Sequence, residues 1–173
     1  MRNKAATIAA LAMLAGCQTM TDDGHRATAV LQPTKGNKTI GEVTFSEIGG
    51  GKVRVIANVT HLKPKSEFGF HIHEVGDCSS GDGMSAKGHF NPQGKPHAGY
   101  PSAERHAGDM PNLKSDKSGR AKMEVDLDII TVSAGPTSVV GRGLIVHAAP
   151  DDYRTQPTGN AGGRIACGVI KGS

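Results

Sequence analysis

Between Arg120 and Ile130 apolar and charged residues take turns: Met123, Val125 and Leu127 alternate with Lys122, Glu124, Asp126 and Asp128. A period of two suits an extended chain with one face buried and the other wet, the habit of an antiparallel sheet. The same alternation runs through Lys52-Val-Arg-Val-Ile-Ala-Asn-Val. Further strand-like runs lie at 29–31, 39–47, 67–73, 143–148 and 164–170, separated by turn residues such as Gly49-Gly-Gly and Ser118-Gly. No stretch carries a helical period, so the chain is expected to be all-β, a sandwich or barrel of antiparallel strands. Two segments fit no strand, Gly76 to Asn112 and Pro150 to Gly163. Loops of that length in a compact domain are usually functional or disordered.

The run Gly69-Phe-His-Ile-His-Glu places His71 and His73 two apart on an extended chain. Their imidazoles therefore leave one face of the strand into one volume. Alone, such a pair is equally well a solvated polar face. Its company argues otherwise: His89 in Gly88-His-Phe-Asn-Pro, His97 in Pro96-His-Ala-Gly, His106 and Asp109 in Arg105-His-Ala-Gly-Asp, and His147 in Val146-His-Ala. Six of the eight histidines thus stand beside Gly and Pro turns or at a strand end. Imidazole suits copper, zinc, iron and nickel, and a single carboxylate is most at home on zinc. Seven candidate ligands are too many for one tetrahedral ion, so two metals are expected. His25 and His61 are left over, His25 read as idle and exposed, His61 as structural or exposed.

Arg2 and Lys4 followed by the apolar run Ala5 to Ala15 read as a secretory signal, residues 1–16, too short to cross a bilayer as a mature helix. Leu14-Ala-Gly-Cys17 resembles a bacterial lipobox, which implies a lipid-modified Cys17 as the first mature residue. An ordinary signal peptide with an unrelated cysteine is the alternative. Residues 17–27 are polar and read as a tether; residues 28–173 make one domain of ordinary size. The expected location is the periplasm or cell envelope, with a membrane as partner through the lipid on Cys17. The formal charge is +4. Removing residues 1–16 deletes two bases and no acid, leaving +2, and no run of five Lys or Arg appears. A nucleic-acid partner is therefore not expected.

These segments, with the ending Gly159-Asn-Ala-Gly-Gly-Arg-Ile-Ala-Cys-Gly-Val-Ile, resemble the bacterial copper-zinc superoxide dismutase family in content and order from about residue 28 to the C-terminus. The resemblance implies a Greek-key β-sandwich or barrel with two long functional loops. It also implies one copper on His71, His73, His89 and His147, and one zinc on His89, His97, His106 and Asp109. His89 would be shared between them as an imidazolate. Asp151, four residues after His147, resembles the outer carboxylate that accepts hydrogen bonds from ligands of both metals and orients them. Thr158 and Arg164 resemble the pair lining the channel by which superoxide reaches copper. The implied reaction is disproportionation of superoxide to dioxygen and hydrogen peroxide. One superoxide reduces Cu(II) and frees His89 with a proton; a second reoxidises Cu(I). The alternatives from the residues alone are an ordinary loop acid for Asp151, a turn role for Thr158 and pairing with a loop carboxylate for Arg164. The stretch between His73 and His89 has the bacterial form of its loop. A homodimer is compatible with the resemblance. The rival functions are an inactive dismutase-like metal-binding protein of the periplasm and an adhesion sandwich, for which the histidines have no purpose.

The three cysteines are Cys17, Cys78 and Cys167. If Cys17 is lipidated, the other two remain as a pair in an oxidising compartment, and the resemblance implies a disulfide between them. The alternative, thiols as metal ligands, lacks a CxxC partner for either.

Overall fold

The computed structural model describes residues 24–173; the signal and the lipobox cysteine lie outside them. Ten strands follow in order: β1 (Arg26–Pro33), β2 (Ile40–Ile48), β3 (Lys52–Thr60), β4 (Glu67–Phe68), β5 (Phe70–His73), β6 (Leu113–Lys114), β7 (Ala121–Leu127), β8 (Gly143–His147), β9 (Arg164–Val169) and β10 (Lys171–Gly172). Every strand pairing is antiparallel. The main sheet runs β5-β8-β9-β1-β2-β3-β7 with β10 added to β1, and β4 pairs β6 apart from it. Neighbours distant in sequence, such as β1 beside β9 and β3 beside β7, are what Greek-key connections produce. Among the described residues the regular helical structure is a three-residue 3-10 turn, Met84–Ala86.

The alternation read from the sequence sets which face of each strand points inward. Val53, Val55, Ala57 and Val59 of β3 are buried, as are Ala27, Ala29 and Leu31 of β1 and Val43 and Phe45 of β2. They close on Phe70, Ile72, Leu144, Val146 and Ala166 in one core, each large member contributing about 1.5–3 kcal/mol by leaving water. In β7 Leu127 is fully buried while Met123 and Val125 pack against the core half-covered.

The strand expected over 67–73 is two strands in different sheets. Gly69 interrupts it, its N–H donating to Ala149 O and its carbonyl accepting from His147 N. A Cβ there would stand 2.7 Å from that of Ala161. The domain also begins earlier than residue 28. Ala27 is wholly buried and faces Phe45 and Gly172, so β1 takes in residues assigned to the tether. β6 and β10 were invisible to periodicity because two residues carry no period.

β5 is buried on both faces, with no exposed residue. Phe70 and Ile72 enter the core, and His71 and His73 face the opposite side, under the 76–112 loop. β8 is buried throughout as well: Leu144 and Val146 point to the core, while Ile145 joins Ala86, Cys167 and Cys78 in a small second cluster beneath that loop. One side of β5 pairs with β8. Its other side is met by loop backbone, with Ile72 N–H donating to Gly108 O, Phe90 N–H to Ile72 O and Glu74 N–H to Gly88 O.

Candidate metal centre

The seven predicted ligands are brought together. His71 and His73 come from β5. His147 ends β8, where the register against β9 slips between Val146 and His147, a bulge that re-aims the last side chain. His89 and Asp109 are carried beside β5 by isolated bridges to His73 and His71. Two four-membered groups result, His71/His73/His89/His147 and His89/His97/His106/Asp109, each offering ligand atoms all within 4.8 Å of one another. His89 belongs to both. The leftover histidines lie outside these groups; His61 sits at the exposed end of β3, its ring 3.0 Å from Thr60 Oγ1.

Hydrogen bonds fix the rings. His71 Nε2 donates to Asp151 Oδ2 (2.8 Å), His73 Nδ1 to Lys87 O (2.8 Å), His147 Nδ1 to Gly162 O (3.2 Å) and His89 Nδ1 to Asp109 Oδ1 (2.8 Å). In neutral rings the other nitrogens then present bare lone pairs. His71 Nδ1 and His89 Nε2 are buried with no partner, and His73 Nε2 faces His147 Nε2 at 3.3 Å. Four inward lone pairs in a buried space are unfavourable unless a cation sits among them. The donor set therefore fits a metal, and its all-imidazole character suits copper. In the second group Asp109 lies 3.3 Å from His106 Nδ1 and 3.1 Å from His97 Nδ1, the latter too poorly aligned to hydrogen-bond. Three imidazoles and a carboxylate suit a closed zinc site.

Asp151 joins the groups. Besides His71 it accepts from His97 Nε2 at 2.9 Å, so one buried carboxylate is bonded to one ring of each group. It is held in turn by residues the sequence reading missed. Asn112 Nδ2 donates to Asp151 O, and Asp151 N–H donates to Asn112 Oδ1. Gln156 makes a matching two-way clamp on the backbone of His97. Gly159, at φ +67°, passes so close that any Cβ would collide with Asp151 and His97. Arg105, beside His106, is wholly buried. Its guanidinium donates to Ser102 O and Asp128 Oδ1 and lies 5.0 Å from the Tyr100 ring. Only the glycine left a sequence signal, in its turn-rich surroundings; a buried arginine and two amide clamps look like any loop polar residues.

Electrostatics separate the two groups. Burial first, then neighbouring rings, holds His147 down to about 3 and His73 well below its ordinary value; burial takes His89 to about 4. These rings are unprotonated at neutral pH, as metal ligands must be. Burial opposes charge on His97 as well, yet Asp109 and Asp151 raise it to about 9. Asp109 is pushed far below the usual carboxylate range by its histidines despite its burial. The His97 charge stabilises the metal-free chain fully below about 6.5, and that contribution is lost as pH rises through about 9. A zinc ion held by His97 would have to displace this proton. Zinc binding at pH 7 should release about one proton, and affinity should rise about tenfold per pH unit from 7 until it levels near 9. Calorimetry in buffers of different ionisation enthalpy measures both; a flat affinity without proton release would contradict the assignment.

Arg164 opens β9 and is half-buried. It donates through Nη1 to Gly83 O (2.6 Å) and through Nη2 to Lys87 O (2.5 Å), carbonyls rather than a loop carboxylate. Its charge helps depress both His73 and His147. Thr158 is half-buried one residue before Gly159, and its hydroxyl makes no side-chain hydrogen bond among the described residues. The disulfide Cys78–Cys167 is formed.

Residues 39–170 match the family model described as copper/zinc superoxide dismutase (SODC). Superoxide dismutase [Cu-Zn] 2 of Aquifex aeolicus (strain VF5) is 42% identical over 150 residues, 84% of this chain and 86% of that protein. Superoxide dismutase [Cu-Zn] 1 of the same organism is 42% identical over 141 residues, covering 79% and 82%. Superoxide dismutase [Cu-Zn] 2 of Brassica juncea is 42% identical over 151 residues, covering 84% and 96%. Among solved structures, the clock protein EA4 crystal structure superposes with a TM-score of 0.77 at 40% identity, over 92% of this chain and 99% of that one.

Proposed function

Given that this chain belongs to the copper/zinc superoxide dismutase family, we propose that His71, His73, His89 and His147 would hold copper and that His89, His97, His106 and Asp109 would hold zinc. The enzyme converts two superoxide ions and two protons to dioxygen and hydrogen peroxide. Copper, when bound, supplies the one-electron chemistry by which one superoxide is oxidised and the other reduced. The chain supplies the rest. His89 is the ring placed to hold and hand over a proton at Nε2, a buried nitrogen without a partner, while its Nδ1 side is held against Asp109 in the metal-free chain. Asp151 keeps His71 and His97 in their tautomers. The observation that carries this reading is that His71 Nδ1 and His89 Nε2, buried without partners, converge with the facing Nε2 atoms of His73 and His147. Metal analysis with a dismutation assay tests it: one copper and one zinc per chain with activity is expected. Zinc alone without activity would leave the inactive metal-binding relative standing.

Arg164 and Thr158 we assign to the approach of the substrate. Superoxide offers a single negative charge, and a guanidinium pinned beside His73 by two carbonyls is a fixed place for it. Arg164→Ile is expected to keep both metals and to slow the reaction about 10 to 100-fold, about 1.4–3 kcal/mol of barrier. The variant should also respond less to added salt, since part of the steering field is gone. A wild-type rate with undiminished salt dependence would sink the assignment.

We also propose that the enzyme is held in the cell envelope by lipid on Cys17, protecting that compartment. Among the described residues no helix is long and apolar enough to cross a membrane, and two acyl chains are enough for stable attachment. Labelled palmitate should enter the chain, and Cys17→Ser should release it from membranes; wild-type protein without label, or beginning elsewhere than at Cys17, would refute this.

A further inference from the structure

Residues 60–67 and 114–122 are knitted together: Leu62 N–H donates to Gly119 O, Lys65 N–H to Asp116 O and Ser66 N–H to Ser115 Oγ. Between them they hold six basic residues and two acids, a net +4, whereas the whole of 28–173 holds 17 bases and 14 acids, a net +3. The positive charge of the domain is therefore collected here. Strand register turns part of it to one outer face. Glu67 pairs Lys114, the bridge from Ser115 to Ala121 brings Lys114 opposite Lys122, and Lys122 pairs Asn58. Phe68, Leu113, Ala121 and Val59, their sequence neighbours, are buried. Alternation then sets Lys114, Lys122 and Asn58 outward, with Arg120 and Thr60 two residues further on the same face. These five, with Asp116, line a groove of about 550 Å³. Lys114 meets Glu67 at 3.0 Å. Lys122 makes no ion pair or hydrogen bond among the described residues. Asp116 holds its own turn, Oδ1 accepting from the N–H groups of Ser118 and Arg120 and from Ser118 Oγ.

We propose that this groove binds a phosphate monoester, with Arg120 and Lys122 as its charged contacts and Asn58 and Thr60 as neutral donors. Like charges set directly opposite on paired strands destabilise a sheet. Lys114 against Lys122 is such a pair, and an anion seated between them turns a repulsion into two attractions. A carboxylate brings two oxygens and one charge to this set of donors; a phosphate monoester brings three oxygens and nearly two charges. A guanidinium fork takes two of those oxygens and an adjacent ammonium the third. The groove has the volume of a small-ligand site. None of its residues belongs to either histidine group, so the proposal stands independently of the dismutase reading. Phosphate monoesters occur both as soluble molecules and as lipid headgroups, and the test separates these sources.

Glycerol 3-phosphate titrated calorimetrically into the metal-loaded protein at low salt is the first probe. Combining Arg120→Gln with Lys122→Gln should weaken its binding at least about tenfold, the effect of losing a hydrogen bond to a charged group. Arg164→Ile, which removes the guanidinium assigned to superoxide, should leave that binding unchanged. Phosphatidylcholine vesicles with and without phosphatidic acid are the second probe, used with Cys17→Ser protein so that no acyl chain contributes. Capture that needs phosphatidic acid, Arg120 and Lys122 assigns a lipid headgroup; binding of the free ester without such capture assigns a soluble one. Thermal unfolding reads the facing charges directly. Without ligand, Lys122→Gln should melt about 1–4 °C above wild type, and glycerol 3-phosphate should raise the Tm of the wild type but not of the double variant. Wild-type protein that binds neither probe, or a double variant that binds as wild type does, would overturn the site. A Lys122→Gln chain no more stable than wild type would overturn the facing-charge premise.

Discussion

His147→Ala is expected to remove dismutation while zinc stays at one per chain. The loss should be at least about a thousandfold, roughly 4 kcal/mol of barrier. His147 enters the first group alone: its Nε2 faces His73, its Nδ1 is bound to Gly162 O, and it is absent from the group around Asp109. Removing it deletes one of four converging nitrogens and leaves His89, His97, His106 and Asp109 in place. His71→Ala should act on copper similarly but also strips Asp151 of one of its two ring partners, so some zinc weakening is expected there and not in His147→Ala. Metal content measured beside steady-state rate separates these outcomes. Zinc lost together with copper in His147→Ala would show that the ligand division is wrong.

Cys167→Ser should cost roughly 2–5 kcal/mol of stability, because the bridge closes a span of 89 residues and its main effect is to restrict the unfolded chain. For a domain of this size that is about 4–20 °C in Tm. A second effect reaches the copper group. Cys78 anchors the loop whose Gly83 and Lys87 carbonyls hold Arg164, and Lys87 O also orients His73. Copper affinity should therefore fall more than zinc affinity, since the zinc loop is separately fastened by Asn112, Gln156 and Arg105. Calorimetry and metal titration check both parts. Two reactive thiols in the oxidised wild-type protein would contradict the premise.

What the sequence revealed and what it concealed divide along physical lines. Alternation in β3 and β7 identified strands and their inward faces because each has one wet side. The pair His71 and His73 was recognisable because a period of two places both rings on one side of β5. Gly69 broke the expected 67–73 strand for a tertiary reason, the approach of Ala149 and Ala161, which local pattern does not carry. The same holds for Arg105, Asn112 and Gln156: each acts through a partner far along the chain, and nothing in their neighbours' identities announces it. Asp151 came from family likeness rather than spacing, and only its two bonds to rings of different groups distinguish it from the adjacent Asp152.

The strand carrying the first two histidines is the last in the sheet path, with β8 on one flank only. A terminal strand offers a row of unused backbone donors and acceptors on which another chain can grow. Here Gly88, Phe90 and Gly108 occupy that row, and all three belong to the loop whose histidines and Asp109 form the second ligand group. Whatever fastens this loop thereby also covers the barrel's open margin, so one segment both carries the second ligand group and closes the edge of the sheet.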